Sequence, residues 1–166
     1  MINNSFSNIK AREKNDVFYT PENLSQKLIS SVPVKPLELC FDPFKGQGSF
    51  FDNMPKPSVW CEIEEGRDFF EFDSQVDWII SNPPFSMITK ILEHSMKISR
   101  KGFGYILPTY SLTTPRLELI RKGGFSVSKI IYFRTPKSWE FGYSTHFVLF
   151  QRDHPSIIEV LEEVFV

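Results

Sequence analysis

The sequence contains only two cysteines, Cys40 and Cys61, and three histidines among its 166 residues. No Cys or His residues stand at the spacing of metal ligands, so we expect no metal site and two reduced core cysteines in a cytoplasmic protein. No apolar run approaches the ~20 residues of a membrane-spanning helix. The polar N-terminal segment does not resemble a signal peptide. We therefore expect no membrane partner.

The sequence shows no internal repeat or low-complexity stretch, and we expect no second domain within these residues. A hydrophobic content of 41%, with 17 Phe, predicts one folded domain, which we assign to residues 17–152. We expect residues 1–16 to be a mobile N-terminus. Residues 153–166 are predicted to form an amphipathic segment that docks on the domain or on a partner.

Charge is distributed unevenly along the chain, although the net charge is only -1. Residues 100–137 carry a single acidic residue, Glu118, and eight basic ones: Arg100, Lys101, Arg116, Arg121, Lys122, Lys129, Arg134 and Lys137. This excess predicts a surface that contacts nucleic-acid phosphates. A solvated helix face followed by a loop would give the same count and remains the alternative.

Short apolar runs alternate with segments of helical periodicity. Predicted strands cover residues 37–41, 59–63, 78–80, 103–108, 127–133 and 145–151, and predicted helices cover residues 22–32, 88–96 and 117–122. The alternation predicts an α/β fold with a doubly wound, mainly parallel sheet. His146, in the last predicted strand, is interpreted as a core or face residue with satisfied hydrogen bonds.

A glycine-containing turn follows the first predicted strand, in the segment 42–51. Gly46 and Gly48 let the backbone turn tightly and approach a ligand closely. Phe51 stands where a dinucleotide-binding fingerprint would need a third glycine, and no Gly-Lys-Ser/Thr follows, so the nicotinamide and P-loop interpretations are disfavoured. Glu62 ends the next strand, where an acidic residue commonly binds ribose hydroxyls. Asp68 with Phe69 offers a carboxylate and a ring suited to adenine.

The segment Asn82-Pro83-Pro84-Phe85 follows the apolar run of the third predicted strand. Two prolines end the strand and hold Asn82 at the carboxyl edge of the sheet, where open α/β sheets bind ligands. The Asn82 amide and the Pro83 carbonyl can accept hydrogen bonds from an amine while Phe85 stacks on its ring. An ordinary strand-terminating turn with a core phenylalanine is the alternative.

Three of these segments, in this order, resemble the S-adenosylmethionine-dependent N6-adenine methyltransferases. The segment 42–48 resembles their cofactor loop, Asn82 to Phe85 resembles their catalytic motif, and residues 18–21 (Phe-Tyr-Thr-Pro) are similar to the first cofactor-contacting segment of the gamma group. The resemblance spans residues 17–151. It implies a Rossmann-like methyltransferase fold with a seven-stranded sheet whose last strand is antiparallel.

The resemblance also implies the site residues. Those implied to bind S-adenosylmethionine are Tyr19, Thr20, Asp42, Pro43, Phe44, Gly46, Gly48, Glu62, Ile63, Asp68, Phe69 and Asn82. Those implied to be catalytic are Asn82, Pro83, Pro84 and Phe85. Those implied to contact the substrate are Phe85, Trp139, Phe141, Tyr143, Arg116 and Lys137.

The function implied is methyl transfer to the N6 amine of adenine in DNA. An RNA substrate and a non-catalytic, cofactor-binding subunit are the alternatives, and a glutamine-amide methyltransferase is disfavoured by the basic segment. Family members that read DNA sequence usually carry a large target-recognition domain, which we do not find. We therefore expect low specificity, a separate specificity subunit or homodimer, or structured RNA as substrate.

Overall fold

The computed structural model describes residues 18–139 and 142–160. Phe141, one of the residues predicted to contact the substrate, lies outside this range. So do the predicted mobile N-terminus and the final part of the predicted amphipathic segment. None of the helices within the described range is long and apolar enough to cross a membrane.

One sheet of six strands organises the described residues, with the spatial order β2-β1-β3-β4-β6-β5. The strands are β1 (Cys40–Asp42), β2 (Ser58–Trp60), β3 (Val76–Ser81), β4 (Ser99–Pro108), β5 (Phe125–Tyr132) and β6 (Thr145–Arg152). The helices are α1 (Glu22–Ser30), α2 (Ile88–Ile98) and α3 (Thr114–Lys122). Strands β1 to β4 pair in parallel, whereas β6 is antiparallel to both β4 and β5.

The predicted fold class is confirmed: helices cover both faces of a mainly parallel sheet whose last strand is antiparallel. The predicted count of seven strands is wrong for the described residues, which form six. The segment between β2 and β3 folds into two short 3₁₀ turns instead of an edge strand. Glu62 and Asp68 cap these turns by accepting hydrogen bonds from the backbone N–H groups of Glu64 and Phe70, which favours a turn over an extended ladder.

Two hydrophobic clusters form the core, one on each face of the sheet. Helices α2 and α3 pack on one face, where Ile91, Leu92 and Ile120 meet the strands. Helix α1 covers the other face through Leu28 and Ile29. Successive residues of β6 alternate between the clusters because side chains of a strand point to opposite faces.

The carboxyl edge of the parallel strands carries the predicted site. Strands β1 to β5 end at this edge, and the antiparallel strand β6 begins there, since Thr145 pairs with Pro108. At the opposite edge of the sheet, the chain after β6 turns back along β5. The N–H of Ile157 donates to the carbonyl of Val127 at 2.9 Å, so the described part of the C-terminal segment lies against this domain.

Candidate functional site

Asp42, the last residue of β1, is fully buried and holds the glycine-containing turn in place. Its Oδ1 accepts hydrogen bonds from Ser81 Oγ at 2.5 Å and from the N–H of Phe44 at 3.3 Å. Its Oδ2 accepts one from the N–H of Phe51 at 3.1 Å. Burial raises the pKa of Asp42 to about 7. The carboxyl group therefore ties the turn to the end of β3 rather than facing solvent.

The two glycines of the turn both adopt left-handed backbone conformations, with φ of 50° at Gly46 and 92° at Gly48. A Cβ at Gly48 would lie 2.5 Å from Oδ2 of Asp52, so no side chain fits there without a rearrangement. A Cβ at Gly46 would lie 3.3 Å from the ring of Tyr19. The turn therefore has no side chain at Gly46, where the ring of Tyr19 packs against its backbone. Within the turn, Pro43 is buried and Phe44 is half-buried.

Glu62 lies just beyond β2 and faces this turn. Its Oε2 accepts a hydrogen bond from the N–H of Gly46 at 2.7 Å, and its Oε1 accepts one from the N–H of Glu64 at 3.2 Å. Each carboxylate oxygen has a second lone pair that can accept a bond from a ligand hydroxyl. Ile63, the next residue, is 43% exposed despite its apolar side chain. A carboxylate and an exposed apolar residue thus adjoin the glycine turn.

Asp68 and Phe69 differ in how closely they match the prediction. Asp68 is half-buried, and its Oδ1 accepts from the N–H of Phe70 at 2.8 Å. Phe69 is only 3% exposed, and its ring packs edge-on against Phe44 at 5.1 Å and against His94 at 4.7 Å. The side chain of Phe69 is therefore part of the core, and its predicted contact with adenine stays a prediction.

Asn82 follows β3 and carries the most informative geometry of the site. Its Nδ2 donates a hydrogen bond to the main-chain carbonyl of Phe18 at 2.7 Å. Because a carbonyl can only accept, this bond fixes which end of the amide faces Phe18. The Oδ1 is buried and has no hydrogen-bond partner in the part of the chain that the structure describes. The amide therefore presents an acceptor and requires a donor from outside the described chain.

Pro83, Pro84 and Phe85 build the turn beyond Asn82. Pro83 is buried and Pro84 half-buried, and the carbonyl of Pro84 accepts from the N–H of Met87 at 3.3 Å. Phe85 is half-buried, with its ring stacked on that of Phe18 at a centroid distance of 6.4 Å and an angle of 26°. The ring of Phe85 and the amide of Asn82 thus both contact Phe18.

The segment from Phe18 to Thr20 crosses the carboxyl edge between Asn82 and Trp139. The indole N–H of Trp139 donates to the carbonyl of Tyr19 at 2.9 Å. The side chain of Trp139 is only 5% exposed, so little of its surface is accessible to a ligand, and its predicted contact with the target base stays a prediction. Its ring has apolar neighbours, and its one donor has a partner in the chain. Thr20 is buried, and its Oγ1 has no partner among the described residues.

Tyr143, Arg116 and Lys137 are placed at or near the same edge. The ring of Tyr143 meets that of Phe85 edge-on at 6.3 Å. Arg116 lies in the first turn of α3 and donates to the carbonyl of Ser111 at 2.9 Å. Lys137 is exposed in the segment after β5. The structure brings all three to the side of the sheet that holds Asn82.

The predicted basic surface is not one contiguous face. Arg134 and Lys137 are exposed beyond the end of β5, at the carboxyl edge. Arg121 and Lys122 lie at the far end of α3, which runs back toward the opposite edge. The Nζ of Lys129 donates to the carbonyl of Ser31 at 2.6 Å, on the face covered by α1. Only part of the positive charge therefore lies beside the site.

All buried side-chain nitrogen and oxygen atoms that lack a hydrogen-bond partner among the described residues belong to five residues at the carboxyl edge: Thr20, Asn82, Ser111, Thr145 and His146. His146 was interpreted as a satisfied residue, but neither ring nitrogen has a hydrogen-bond partner within residues 18–139 and 142–160. Burial lowers its pKa. Unpartnered buried polar groups are rare and costly, so their concentration at one edge indicates a ligand-binding region.

Other functional chemistries find little support. Cys40 and Cys61 are free and buried, and burial raises the pKa of each thiol to about 11. No group of three or more metal-ligating side chains is present within residues 18–139 and 142–160. The sequence reasoning missed the role of the Phe18 carbonyl, Ser111, Thr145 and Tyr110, which is 64% exposed next to the site. The one sequence signal for Tyr110 is its position two residues after the end of β4.

Comparisons with solved structures show which fold this is. A protein from Pyrococcus horikoshii described as an RNA methyltransferase matches with a TM-score of 0.65 and 19% identity, over 81% of this chain and 86% of that one. A protein from Vibrio vulnificus described as a modification subunit of a type I restriction enzyme matches with a TM-score of 0.64 and 15% identity. That match covers 90% of this chain but 49% of the other, so this chain spans about half its length.

A third match is the magnesium protoporphyrin IX methyltransferase of Synechocystis, solved with bound SAM (S-adenosylmethionine), with a TM-score of 0.56 and 12% identity over 87% of this chain and 80% of that one. The chain has the fold of the Rossmann-like methyltransferases. No family model and no curated protein matches the sequence. Within the methyltransferase fold, the Asn82 turn and the glycine turn lie side by side at the carboxyl edge.

Proposed function

We propose that this protein is a SAM-dependent methyltransferase that acts on the N6 amine of adenine in DNA. One observation carries the proposal: the buried Oδ1 of Asn82 has no partner among the described residues, while Nδ2 is held by the Phe18 carbonyl. A fixed acceptor beside a half-buried aromatic ring suits an amine attached to a flat heterocycle. Adenine supplies both parts.

The residues of the edge fit the methyl donor. The Oγ1 of Thr20 is buried without a partner among the described residues, and the preceding residue, Tyr19, contacts the glycine turn at Gly46. Thr20, Tyr19 and the turn 42–48 would hold the methionine portion, Glu62 with Ile63 the ribose, and Asp68 the adenine. Asp42, Pro43 and Phe44 would act by shaping the turn, because Asp42 is buried and internally bonded. When bound, SAM would supply an electrophilic methyl group.

Asn82 and the Pro83 carbonyl would prepare the target amine for attack. The lone pair of an aromatic amine is delocalised into the ring, which makes the nitrogen a weak nucleophile. Accepting its two N–H groups at Asn82 Oδ1 and at the Pro83 carbonyl favours tetrahedral geometry and stabilises the positive charge that develops on nitrogen. Because Pro83 and Pro84 have restricted backbones, the two acceptors are preorganised.

Phe85 would bind the target base by stacking, with Tyr143 beside it. Stacking of this kind compensates part of the cost of extruding a base from a duplex, which is a few kcal/mol. Exposed Arg134 and Lys137 at the same edge would contact phosphates, and Arg116 would position the adjoining turn.

An RNA substrate is the second candidate. One solved structure of the same fold is described as an RNA methyltransferase, and its length is covered more completely than that of the restriction-modification subunit. The small number of basic residues at the edge also favours a partner that supplies further contacts. We accordingly propose nucleic acid as the acceptor and a specificity subunit or a second copy of the chain as the partner.

Parallel assays of methyl transfer from labelled SAM to DNA, RNA and protein test the proposal. We expect label in adenine of DNA and its loss in the Asn82→Ala variant. Label in RNA alone would assign the second candidate. Labelled protein without labelled nucleic acid, or equal labelling by wild type and Asn82→Ala, would contradict both.

A further inference from the structure

A line of three aromatic rings leads from the Asn82 turn outward. The ring centroids of Phe85 and Tyr143 are 6.3 Å apart at an interplanar angle of 61°, and those of Tyr143 and Tyr110 are 5.4 Å apart at 77°. Exposure rises along this line, from the half-buried Phe85 to Tyr110, which is 64% exposed. The line therefore begins beside the proposed target base and ends in solvent.

The outer part of the line rests on a fixed backbone. Tyr110 lies in the 3₁₀ turn Thr109–Ser111 that follows β4. The N–H of Thr109 donates to the carbonyl of Ser144 at 3.0 Å, which joins this turn to the segment before β6. Arg116 donates to the carbonyl of Ser111 and, through Nε, to Thr89 Oγ1 at 3.0 Å. A guanidinium group thus lies against the turn that carries the exposed ring.

Two buried hydroxyl groups adjoin the same rings in the chain. Ser111 follows Tyr110, and Thr145 comes two residues after Tyr143 and pairs with Pro108. Neither Ser111 Oγ nor Thr145 Oγ1 has a hydrogen-bond partner in the described part of the chain. Aromatic surface, unpartnered hydroxyls and a nearby guanidinium are together the groups that bind an unpaired nucleotide, whose base has a flat face and polar edges.

We propose that Tyr110, Tyr143, Ser111 and Thr145 form a subsite for a second, unpaired base next to the target adenine. The proposal rests on the proposed function and narrows its substrate. The acceptor is nucleic acid whose target strand is unpaired over at least two nucleotides. Base stacking on tyrosine tolerates any sequence because every base has a π face, so the subsite would select strand structure rather than sequence.

The chain offers a matched control for the test. Tyr132, at the end of β5, is also a tyrosine at the carboxyl edge and is 71% exposed. Its ring contacts His146 rather than the line of rings. Tyr110→Ala thus removes an exposed tyrosine inside the proposed subsite, and Tyr132→Ala removes one outside it. Both variants should fold as the wild type does.

The experiment measures kcat/KM for methyl transfer from SAM to three oligonucleotides: a single strand with one adenine, the same strand with abasic positions on both sides of that adenine, and the corresponding duplex. We expect Tyr110→Ala to lower kcat/KM on the intact single strand about tenfold, the scale of one lost base stack. Tyr132→Ala should leave it unchanged. With the abasic strand, kcat/KM of the wild type should be about tenfold lower than with the intact strand. The kcat/KM of Tyr110→Ala should be the same on both strands.

Three outcomes would overturn the inference. Equal kcat/KM of wild type and Tyr110→Ala on all oligonucleotides would remove the subsite while leaving the methyltransferase proposal intact. So would a duplex that is methylated faster than the single strand. Methylation of protein but of no oligonucleotide would overturn the proposed function, and the subsite with it.

Discussion

The side-chain nitrogen of Asn82 donates to the main-chain carbonyl of Phe18, 64 residues earlier in the chain, at 2.7 Å. This bond determines that Nδ2 faces Phe18 and that Oδ1 is the acceptor left for a ligand. It also joins the segment from Phe18 to Thr20 to the Asn82 turn, since Phe18 stacks on Phe85. The proposed methyl-donor and methyl-acceptor sites therefore share one short segment.

Trp139→Phe tests whether the segment 18–20 needs its anchor. The change removes the hydrogen bond from the indole N–H to the Tyr19 carbonyl, and we expect a loss of ~0.5–1.5 kcal/mol in the free energy of unfolding. Affinity for SAM should also fall, because Tyr19 and Thr20 would be less well positioned. Urea unfolding and calorimetric titration with SAM measure the two effects.

Trp78→Phe is the matched control for this prediction. The indole N–H of Trp78 donates to Glu38 at 2.6 Å on the opposite edge of the sheet. This variant should also lose stability but should keep the wild-type affinity for SAM. Equal loss of SAM affinity in both variants would mean that general destabilisation, rather than the position of the segment, explains the effect.

Glu62→Ala should weaken SAM binding by ~1–3 kcal/mol, the scale of hydrogen bonds to a charged group. The carboxylate would lose its proposed ribose contacts, and the N–H of Gly46 would lose its acceptor. Glu64→Ala removes an exposed carboxylate two residues away and should leave affinity unchanged. Calorimetry that finds the same affinity in both variants would rule out the ribose role of Glu62.

Charge reversal separates the two halves of the basic segment. Arg134→Glu with Lys137→Glu changes the carboxyl edge, whereas Arg121→Glu with Lys122→Glu changes the far end of α3. Each true phosphate contact contributes ~0.7 for a single strand, or ~0.9 for duplex DNA, to the log–log dependence of binding on salt concentration. Binding assays between low and high salt should show a shallower slope for the first pair only. A shallower slope for the second pair alone would place the nucleic acid elsewhere.

His146 should make the fold sensitive to acid. Burial lowers its pKa in the folded state below the ordinary value of 6.5. Above pH 6.5 the ring is neutral in both the folded and the unfolded state. Below pH 6.5 the unfolded chain takes up a proton that the folded chain does not, so the free energy of unfolding decreases as the pH is lowered. His146→Leu should reduce this fall between pH 7 and pH 5 in urea unfolding, whereas His154→Leu, at an exposed position, should not.

Asp42 acts in the opposite direction in part of this pH range. Its pKa is raised from 3.8 to about 7 by burial, so the stability that its protonated form contributes is lost as pH rises from about 4 to 7. The pH profile of the wild type is therefore the sum of opposing effects, and only the difference between variants isolates His146. An unchanged profile in His146→Leu would mean that its ring is accessible to water and protons.

The sequence predicted the parts of the fold that depend on local patterns. The alternation of short strands and helices was sufficient for the doubly wound sheet, and Pro83 with Pro84 was sufficient for the end of β3 at Asn82. The absence of a seventh strand could have been inferred from the short sequence separation of Glu62 and Asp68, which leaves little room for further elements. Its replacement by capped turns depends on side-chain hydrogen bonds that periodicity does not reveal.

The site was predicted less completely, because several of its contacts join distant segments. Trp139 is an aromatic residue of the kind that contacts bases. Only the position of Tyr19 in the folded chain shows that the indole N–H of Trp139 already has an acceptor. Phe69 and His146 are similar cases: Phe69 belongs to the core, and His146 is buried without a hydrogen-bond partner in the described part of the chain. The roles of the remaining cofactor and substrate residues stay predictions.

The most direct test of the central claim is the single-turnover rate of methyl transfer by Asn82→Ala, with SAM affinity measured on the same sample. If Asn82 Oδ1 accepts from the target amine, the rate on an adenine-containing strand should fall by ~10²-fold or more. SAM affinity should fall no further than in Trp139→Phe, because each of the two changes removes one hydrogen bond that holds the segment 18–20. A wild-type rate in Asn82→Ala, with adenine still methylated, would contradict the claim and leave the Asn-Pro-Pro-Phe turn a structural feature.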